Sequence, residues 1–210
     1  MKDFGELKQK IQECRYCQRQ FGYEPHPVVW GKPNAKIMQI SQAPSLNVHN
    51  TLKPFNDLSG KKLREKWYDI DDETFYDQNN FYIASLAHCY PGKSKSGGDR
   101  LPPKCCSEKW LRQEIDIVDN QIYIIIGSYA AKKIFPNQNF VDLIFNDQVF
   151  NGKPAYVLPH PSPLNRRWFK TYPEFEAKRV KEIRAVIKSL VYIGLFRLKI
   201  AFYFSKMVAV

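Results

Sequence analysis

The sequence predicts an α/β fold in which a parallel sheet is covered by helices on both faces. Two observations in its 210 residues point to this class. Four short segments are rich in apolar and β-branched residues, as buried strands are, and segments with helical spacing fall between them. In sheets of this kind ligands bind beyond the carboxyl ends of the strands, so we expect a functional site at that edge.

The elements can be assigned in chain order. Asp3 is a suitable N-cap for a first helix that ends near Gln12, with Leu7 and Ile11 one turn apart. The predicted strands are AKIMQIS (35–41), FYIASLA (81–87), QIYIIIG (121–127) and PAYVLP (154–159). The later helical segments are SGKKLREKWYDI, CSEKWLRQEIDIVD, SYAAKKIF and YPEFEAKRVKEIRAVIKSL, the first with Ser59 as its predicted N-cap.

The composition indicates one globular domain with an anionic partner. Hydrophobic residues make up 44% and aromatic residues 14% of the chain, which excludes a disordered protein. The formal net charge is +11 and the sequence pI about 9.4, a balance that favours a nucleic-acid partner because neutralised phosphates release counterions. Neither G-x-x-x-x-G-K-[ST] nor G-x-G-x-x-G occurs, which argues against the common nucleotide-binding folds.

The two ends of the chain differ in character. The first ten residues, MKDFGELKQK, are charged throughout, so we expect no signal peptide and a cytoplasmic protein. Residues 190–210 are largely apolar but contain Arg197, Lys199 and Lys206, which make a bilayer span costly. We therefore predict one domain over residues 1–189 and an appended tail over 190–210, with contact to a membrane surface or a true span as alternatives.

Five cysteines in a chain without a recognisable secretory signal favour thiols or metal ligands over disulfides. Cys14 and Cys17 form a C-x-x-C pair, Cys89 follows the second predicted strand, and Cys105 and Cys106 come shortly afterwards. One close pair and two distant single cysteines suit a [4Fe–4S] cluster, whose ligands are all cysteine. A zinc site and structural thiols are the alternatives.

Loops rich in polar residues and proline follow three of the predicted strands. They are SQAPSLNVHNTLKPFNDLSG after the first, HCYPGKSKSGGDRLPPKCC after the second and VLPHPSPLN at the end of the fourth. The last of these holds His160 between prolines, which stiffen the chain as it leaves the strand. Three such loops at one edge of a sheet predict a pocket there.

The order of these motifs resembles the uracil-DNA glycosylase superfamily, and within it the iron–sulfur-containing bacterial branches of the family 4 and family 5 type. The resemblance covers about residues 11–188, and its motifs are C-x-x-C, SQAPS, KPFNDLSGKKLREKW, IASLAHCYPG, a later cysteine, IIIGSYAAKKIF and PHPSPLN. It implies a three-layer α/β/α sandwich with a four-stranded, mainly parallel central sheet. It also implies a monomeric DNA-repair hydrolase that flips uracil, or a related deaminated base, out of DNA and hydrolyses its N-glycosidic bond to leave an abasic site.

The resemblance also implies roles for residues around the flipped base. Phe55 would stack on the uracil ring, and His160 would donate a hydrogen bond toward uracil O2 as negative charge builds on the leaving base. Gln42 and Ala43 belong to the motif that contacts the pyrimidine. Ser85 stands where many relatives have an asparagine that recognises uracil N3–H and O4.

The group that orients the attacking water differs from that of several branches, which have an aspartate or asparagine where this chain has Ala43. Asp57 matches an acidic position in one branch and is the predicted water-orienting residue, with His49 as the alternative. Asp57 could also serve only as a helix cap.

The DNA contacts and the cluster ligands implied by the resemblance lie elsewhere in the chain. The residues expected to meet DNA are Ser162, Pro163, Asn165, Arg166 and Arg167. The expected ligands of a structural [4Fe–4S] cluster are Cys14, Cys17, Cys89 and Cys106, with Cys105 as the alternative to Cys106 and zinc as the alternative metal. Because Ala43 and Ser85 depart from the usual pattern, a non-catalytic DNA-binding protein on this fold is a second hypothesis. A metal-stabilised interaction module is a third.

Overall fold

The central sheet has five strands in the order β2-β1-β3-β5-β4 in the computed structural model, which describes residues 3–22, 24–95 and 97–192. Four strands run parallel, namely β1 (Ile37–Ser41), β2 (Phe81–Ser85), β3 (Ile122–Ile126) and β5 (Lys153–Leu158). The short β4 (Gln148–Phe150) lies antiparallel to β5 at one edge. The α/β class and the mainly parallel sheet predicted from the sequence are confirmed.

The strand count is the part of the prediction that was wrong, because the sheet has five strands instead of four. β4 and β5 form a hairpin whose turn is Asn151-Gly152, with both residues at positive φ (51° and 72°). Asn-Gly is the sequence that such two-residue turns favour. β4 was missed because it is three residues long and has no buried residue, so it lacks the apolar run that marked the others.

Helices connect and cover the strands on both faces. They are α1 (Phe4–Gln12), α2 (Tyr16–Phe21), α3 (Leu46–Thr51), α4 (Leu58–Lys61), α5 (Asp72–Tyr76), α6 (Lys104–Cys106), α7 (Arg112–Ile117), α8 (Ser128–Ile134), α9 (Phe140–Phe145) and α10 (Arg166–Thr171). Wider π-helical segments, Lys62–Tyr68, Ser107–Leu111 and Phe175–Arg179, extend α4, join α6 to α7 and precede helical residues 180–192. Pro163–Asn165 forms a 3₁₀ turn before α10.

Two helix starts test the capping predictions. Asp3 caps α1 as expected, because its side chain accepts a hydrogen bond from the Gly5 N–H. Ser59 was the wrong residue for α4, whose N-cap is Asp57. Asp57 has extended backbone angles and its carboxylate accepts from the Gly60 N–H at 2.8 Å, which is the geometry an N-cap requires.

Hydrophobic packing joins the layers. The main core combines aliphatic and aromatic side chains, and the largest fully buried ones are the aromatic residues Trp67, Tyr68, Tyr82, Tyr123, Phe75, Phe81 and Phe175. A smaller cluster of Leu7, Ile11 and Trp110 joins α1 to the α6–α7 region, and the side chains of Cys14 and Cys106 pack against it. Burying a large apolar side chain contributes about 1.5–3 kcal/mol, so this cluster stabilises the packing of α1 against the α6–α7 region.

The carboxyl-terminal prediction concerns residues mostly outside the described structure. Helical residues 180–192 extend through the start of the predicted tail, and residues 193–210 of that tail lie outside the described residues. Among the described residues, no helix combines the length and apolar character needed to cross a membrane.

Candidate active site

A cavity of about 470 Å³ lies beyond the carboxyl ends of β1, β2 and β5. Three loops and the start of α4 line it, as the strand-end argument predicts. The predicted residues that it brings together are Gln42, Ala43, Phe55, Asp57, Ser85, His160 and Ser162. Parallel register aligns the strand ends, with Ser41 opposite Ser85 and Ile126 opposite Leu158. Residues far apart in the chain therefore face one space.

Hydrogen bonds within its own loop hold His160 in place. The Ser162 N–H donates to His160 Nδ1 at 3.2 Å, and the Asn165 side-chain amide donates to the His160 carbonyl at 3.2 Å. Gly127 lies behind the ring at φ 86°, and a Cβ at that position would lie 3.7 Å from His160 Cδ2. A residue with positive φ is most easily glycine, so Gly127 lets the chain turn directly behind the imidazole.

The electrostatic surroundings of His160 favour its neutral form. His160 is exposed, yet the protein around its ring displaces enough water to lower its pKa. The negative charge of Asp57 acts in the opposite direction and raises the pKa by less. Since Nδ1 accepts a hydrogen bond from a backbone N–H, the proton of the neutral ring belongs on Nε2.

A strained loop holds Phe55 at the cavity. Phe55 has φ 53°, which is unusual for a residue with a large side chain. Its carbonyl accepts a hydrogen bond from Arg64 Nη1 at 2.7 Å, and Arg64 Nε also contacts Asp72 Oδ1 at 2.6 Å. The Arg64 side chain is only 8% exposed. This buried guanidinium fixes the backbone conformation that aims Phe55.

Gly60 makes room for the same loop. A Cβ on Gly60 would lie only 1.7 Å from the Phe55 carbonyl oxygen, so any other residue would force the two segments apart. The edge-to-face contact between Phe55 and Phe75, with ring centroids 6.3 Å apart, adds a packing restraint. Sequence reasoning found Phe55 but missed the roles of Arg64 and Gly60 in supporting it. Both depend on a backbone angle that no local motif reveals.

Asp57 both caps a helix and lines the cavity. Its Oδ1 is committed to the Gly60 N–H. The same carboxylate lies close enough to His160 to influence its pKa. The capping role considered from the sequence is therefore present, and it is compatible with a second role because a carboxylate has two acceptor oxygens.

His49, the alternative water-orienting residue, does not line this cavity. Its ring stacks on that of His26, with centroids 4.1 Å apart and planes 8° apart. Two charged lining residues in the loop after β2, Asp99 and Arg100, were not singled out from the sequence. Arg100 is the one lysine or arginine among the described residues that line the cavity.

The loop after β5 presents a projecting face beside the cavity mouth. Pro163, Arg166 and Arg167 are exposed, while Asn165 is half-buried and bonded to the His160 carbonyl. Asn165 thus supports the loop from within. Leu164 is 96% exposed, the most exposed large apolar side chain of those in the described residues. The residues expected to meet DNA do not include Leu164, although it lies between two of them, Pro163 and Asn165.

The four predicted cluster ligands line a second, mostly apolar cavity. Cys14, Cys17, Cys89 and Cys106 surround it. Cys105 does not line it but lines a neighbouring open pocket, which Cys14, Cys17 and Cys106 also line. Burial, together with the thiols of the other three cysteines, raises the pKa of Cys89 to about 12. Four cysteine sulfurs around one cavity are the donor set of a [4Fe–4S] cluster.

The described residues were also compared with the side-chain groups that hold a single metal ion, such as zinc. Within residues 3–22, 24–95 and 97–192, no group of three or more histidine, cysteine, aspartate or glutamate side chains could hold one metal ion. The fit to a cluster therefore rests on the shared cavity and the chemistry of its four sulfurs.

A comparison with known protein families completes the description of the site. The model of the uracil DNA glycosylase superfamily matches residues 28–184, about three quarters of the chain. Every residue that lines the cavity of about 470 Å³ falls within the match, as do Cys89 and Cys106, whereas Cys14 and Cys17 precede it. The motif order, the sheet and this match agree, and the chain belongs to the uracil DNA glycosylase superfamily.

Proposed function

We propose that this protein is a monofunctional uracil-DNA glycosylase, which flips uracil or a related deaminated base out of DNA and hydrolyses its N-glycosidic bond. The observation that carries the proposal is the meeting of Phe55, Asp57 and His160 at one cavity. An aromatic face, a carboxylate and an imidazole supply base stacking, water activation and stabilisation of the leaving group. The volume of about 470 Å³ falls in the range of small-ligand pockets.

His160 acts on the leaving base. When the bond between deoxyribose C1′ and the base nitrogen breaks, its electron pair passes to the base and negative charge develops on O2. A neutral imidazole with its proton on Nε2 donates a hydrogen bond to that oxygen without having to transfer the proton. The bond from the Ser162 N–H to Nδ1 supports this tautomer.

Asp57 acts on the water. Its Oδ1 is held by the Gly60 N–H, which leaves Oδ2 to accept a hydrogen bond from a water molecule. As the water oxygen bonds to C1′, the carboxylate accepts the released proton and later passes it on to the departing base. The products are an abasic site and the free base, so atoms and charge balance.

The projecting loop after β5 engages the DNA around the extruded nucleotide. Leu164 can fill the space that the flipped base leaves in the stack, since it is almost fully exposed and lies two residues after Ser162, which lines the cavity. Arg166 and Arg167 contact phosphates, and Ser162 and Pro163 set the direction of the loop. The net charge of +11 favours this partner.

A [4Fe–4S] cluster held by Cys14, Cys17, Cys89 and Cys106 is part of the proposal. When bound, it would supply a covalent cross-link between the segment that joins α1 to α2 (Cys14), α2 (Cys17), the segment after β2 (Cys89) and α6 (Cys106), and would take no part in hydrolysis. Ser85 lines the active-site cavity and Cys89 lines the cysteine cavity, so the short segment 85–89 runs from one cavity to the other. Fixing one end of this segment stabilises the other, which is the structural role that we assign to the cluster.

The oligomeric state and location are also proposals. A single chain supplies every group invoked above, so we propose a monomer. The cytoplasmic location expected from the sequence stays a prediction.

The direct test is to incubate the purified protein with uracil-containing single-stranded and double-stranded oligonucleotides, followed by alkali. We expect cleavage at the uracil position and its loss in His160→Ala, while His26→Ala, a change outside the cavity, retains it. DNA binding without any cleavage at enzyme excess would favour the non-catalytic DNA-binding hypothesis. Absence of both would favour an interaction module.

A further inference from the structure

The loop after β2 places an arginine at the rim of the active-site cavity. Arg100 lines this cavity and is also exposed to solvent, so it lies where the cavity opens. Of the lysines and arginines that the structure describes, only Arg100 lines the cavity. Base stacking, water activation and stabilisation of the leaving group are assigned to Phe55, Asp57 and His160, and none of these steps uses the guanidinium.

Hydrogen bonds within the loop hold Arg100 in place. Its backbone N–H donates to the Gly92 carbonyl at 2.8 Å. The neighbouring residues Lys93 and Asp99 pair as an antiparallel bridge, so the loop folds back on itself at this point. The side chain is also anchored, because Arg100 Nε donates to the Lys93 carbonyl at 2.9 Å. These bonds restrict the guanidinium, whose Nη1 and Nη2 groups make no hydrogen bond to the described residues.

The charges of this loop leave Arg100 without an ionic partner. Asp99 Oδ1 accepts hydrogen bonds from Lys93 Nζ at 2.7 Å and from the Tyr90 hydroxyl at 2.9 Å. Asp99 and Lys93 therefore offset each other. Arg100 forms no salt bridge within the part of the chain that the structure describes. The rim of the cavity thus presents a held guanidinium whose charge no carboxylate pairs.

The chemistry of the substrate indicates what this guanidinium binds. The base and the deoxyribose of a uracil nucleotide are neutral, whereas each phosphate carries a negative charge. An extruded nucleotide stays joined to the DNA through both of its phosphates, so these remain at the mouth of the cavity. A guanidinium donates two parallel N–H bonds to phosphate oxygens. An exposed arginine at the rim is therefore better matched to a phosphate than to the base.

The order of the strands separates Arg100 from the projecting loop after β5. β2 and β5 are three positions apart in the sheet, which corresponds to roughly 14 Å at the usual spacing between strands. Arg100 follows β2, whereas Arg166 and Arg167 follow β5. Cations on two separated loops can hold a DNA strand on both sides of the nucleotide that enters the cavity between them.

We propose that Arg100 binds a phosphate adjoining the extruded nucleotide, on the opposite side from the phosphates that Arg166 and Arg167 contact. The inference rests on the proposed function, to which it adds a phosphate subsite at the β2 side of the cavity. Arg100 acts by holding the extruded nucleotide, and takes no part in breaking the glycosidic bond.

Two substitutions test the charge and the shape of the guanidinium. Arg100→Gln removes the charge, whereas Arg100→Lys keeps the charge and loses the paired N–H groups. Arg112→Gln is the matched control, because the Arg112 side chain is 81% exposed on α7 and does not line the cavity. Binding is measured on DNA that contains 2′-fluoro-2′-deoxyuridine, since the fluorine withdraws electrons and slows breakage of the glycosidic bond.

We expect Arg100→Gln to bind this DNA roughly tenfold more weakly than the wild type does, because a charge-assisted contact is lost. The slope of log K against log salt concentration should become shallower by about 0.9 on double-stranded DNA and about 0.7 on single-stranded DNA, the change for one phosphate. Arg100→Lys should keep the wild-type slope and bind with intermediate affinity. Arg112→Gln should match the wild type in both respects.

Neutral phosphate analogues identify the group that Arg100 contacts. A methylphosphonate, in which a methyl group replaces the charged oxygen, is placed in turn at each phosphate flanking the uracil analogue. At one position the wild type should fall to the affinity of Arg100→Gln, and Arg100→Gln should lose little more. Non-additive losses of this kind show that the side chain and the phosphate form one contact. Arg167→Gln should show the same behaviour at a phosphate on the other side of the nucleotide.

The outcomes separate this inference from the proposed function. Additive losses at every flanking phosphate would overturn the phosphate contact, including the case in which Arg100 binds the base instead. Equal affinities and salt slopes in Arg100→Gln and Arg112→Gln would overturn it as well. A wild-type protein that binds this DNA but never cleaves uracil would remove the glycosylase proposal, and the methylphosphonate data would still decide the role of Arg100. A wild-type protein that does not bind DNA would overturn both.

Discussion

The backbone N–H of Ser162 donates a hydrogen bond to Nδ1 of His160, 3.2 Å away and within the same turn. A backbone amide cannot accept a proton, so this bond exists only while Nδ1 is unprotonated. It links the protonation of His160 to the shape of the loop that also carries Leu164. Protonating the ring would break the bond and charge the group that faces the leaving base.

We therefore expect the pKa of His160 to lie below 6.5, the ordinary imidazole value, so that the ring becomes protonated at a lower pH than a free histidine does. Displacement of water lowers the pKa, and Asp57 only partly opposes this. Cleavage should persist as the pH falls below 6.5 and decline at a lower midpoint. An NMR titration of the imidazole measures that midpoint directly. In Asp57→Asn the midpoint should move lower still, because the charge that raises the pKa is gone.

The same pKa shift affects folding. Between the folded and unfolded pKa values of His160, the unfolded chain binds more protons, so stability contributed by this group rises with pH and is lost as the pH falls below about 6.5. A measured His160 midpoint at or above 6.5 would contradict both expectations.

Substitutions at Asp57 should distinguish its role as a helix cap from its proposed role in accepting the proton of the attacking water. Asparagine is as good an N-cap as aspartate, so Asp57→Asn should leave the free energy of unfolding nearly unchanged. It removes the carboxylate that would accept the proton of water, so cleavage should fall by roughly 10²–10⁴-fold. Single-turnover rates on uracil-containing DNA and chemical denaturation measure the two effects.

Asp57→Ala serves as the comparison, because it removes both the cap and the carboxylate. It should lose activity to the same extent and about 1 kcal/mol of stability in addition. An Asp57→Asn protein that cleaves at the wild-type rate would show that Asp57 is only a cap, and the water would need another partner.

The fold was largely predictable from the sequence, because four of the five strands are recognisable as runs of apolar and β-branched residues. The cavity was predictable as well, since parallel strands bring their carboxyl ends to one edge and the polar loops follow those ends. The hairpin strand β4 was not, because QVF carries no buried residue. The support of Phe55 by Arg64 was not predictable either, since it depends on the positive φ of Phe55.

Gly60→Ala tests whether the support of Phe55 matters. The added methyl group would overlap the Phe55 carbonyl, so the loop must move away from Arg64. We expect a loss of about 1–3 kcal/mol in stability, typical of overpacking, and a larger loss of cleavage than the stability change explains. Gly98→Ala is the matched control, because a Cβ at Gly98 meets no atom within 4 Å. Equal cleavage rates in the two folded variants would argue against a positioning role for this contact.

Leu164→Ala should distinguish DNA binding from chemistry. Leu164 is 96% exposed, so removing its side chain takes almost no buried area from the folded protein and should leave the melting temperature unchanged. Val149→Ala, on the exposed edge strand β4, is the control for loss of an exposed apolar side chain.

The effect of Leu164→Ala should depend on the strand state of the substrate. In a duplex the flipped base leaves a gap in the stack, and without an apolar side chain to fill it the extruded state is less stable. A loss of about 1.4 kcal/mol in that state corresponds to a roughly tenfold slower cleavage of double-stranded DNA. A single strand has no partner base and little stacking to restore, so its cleavage should change little. Equal losses on both substrates would mean that Leu164 acts on the nucleotide itself, and the wedge would have to be sought in another exposed residue of the rim.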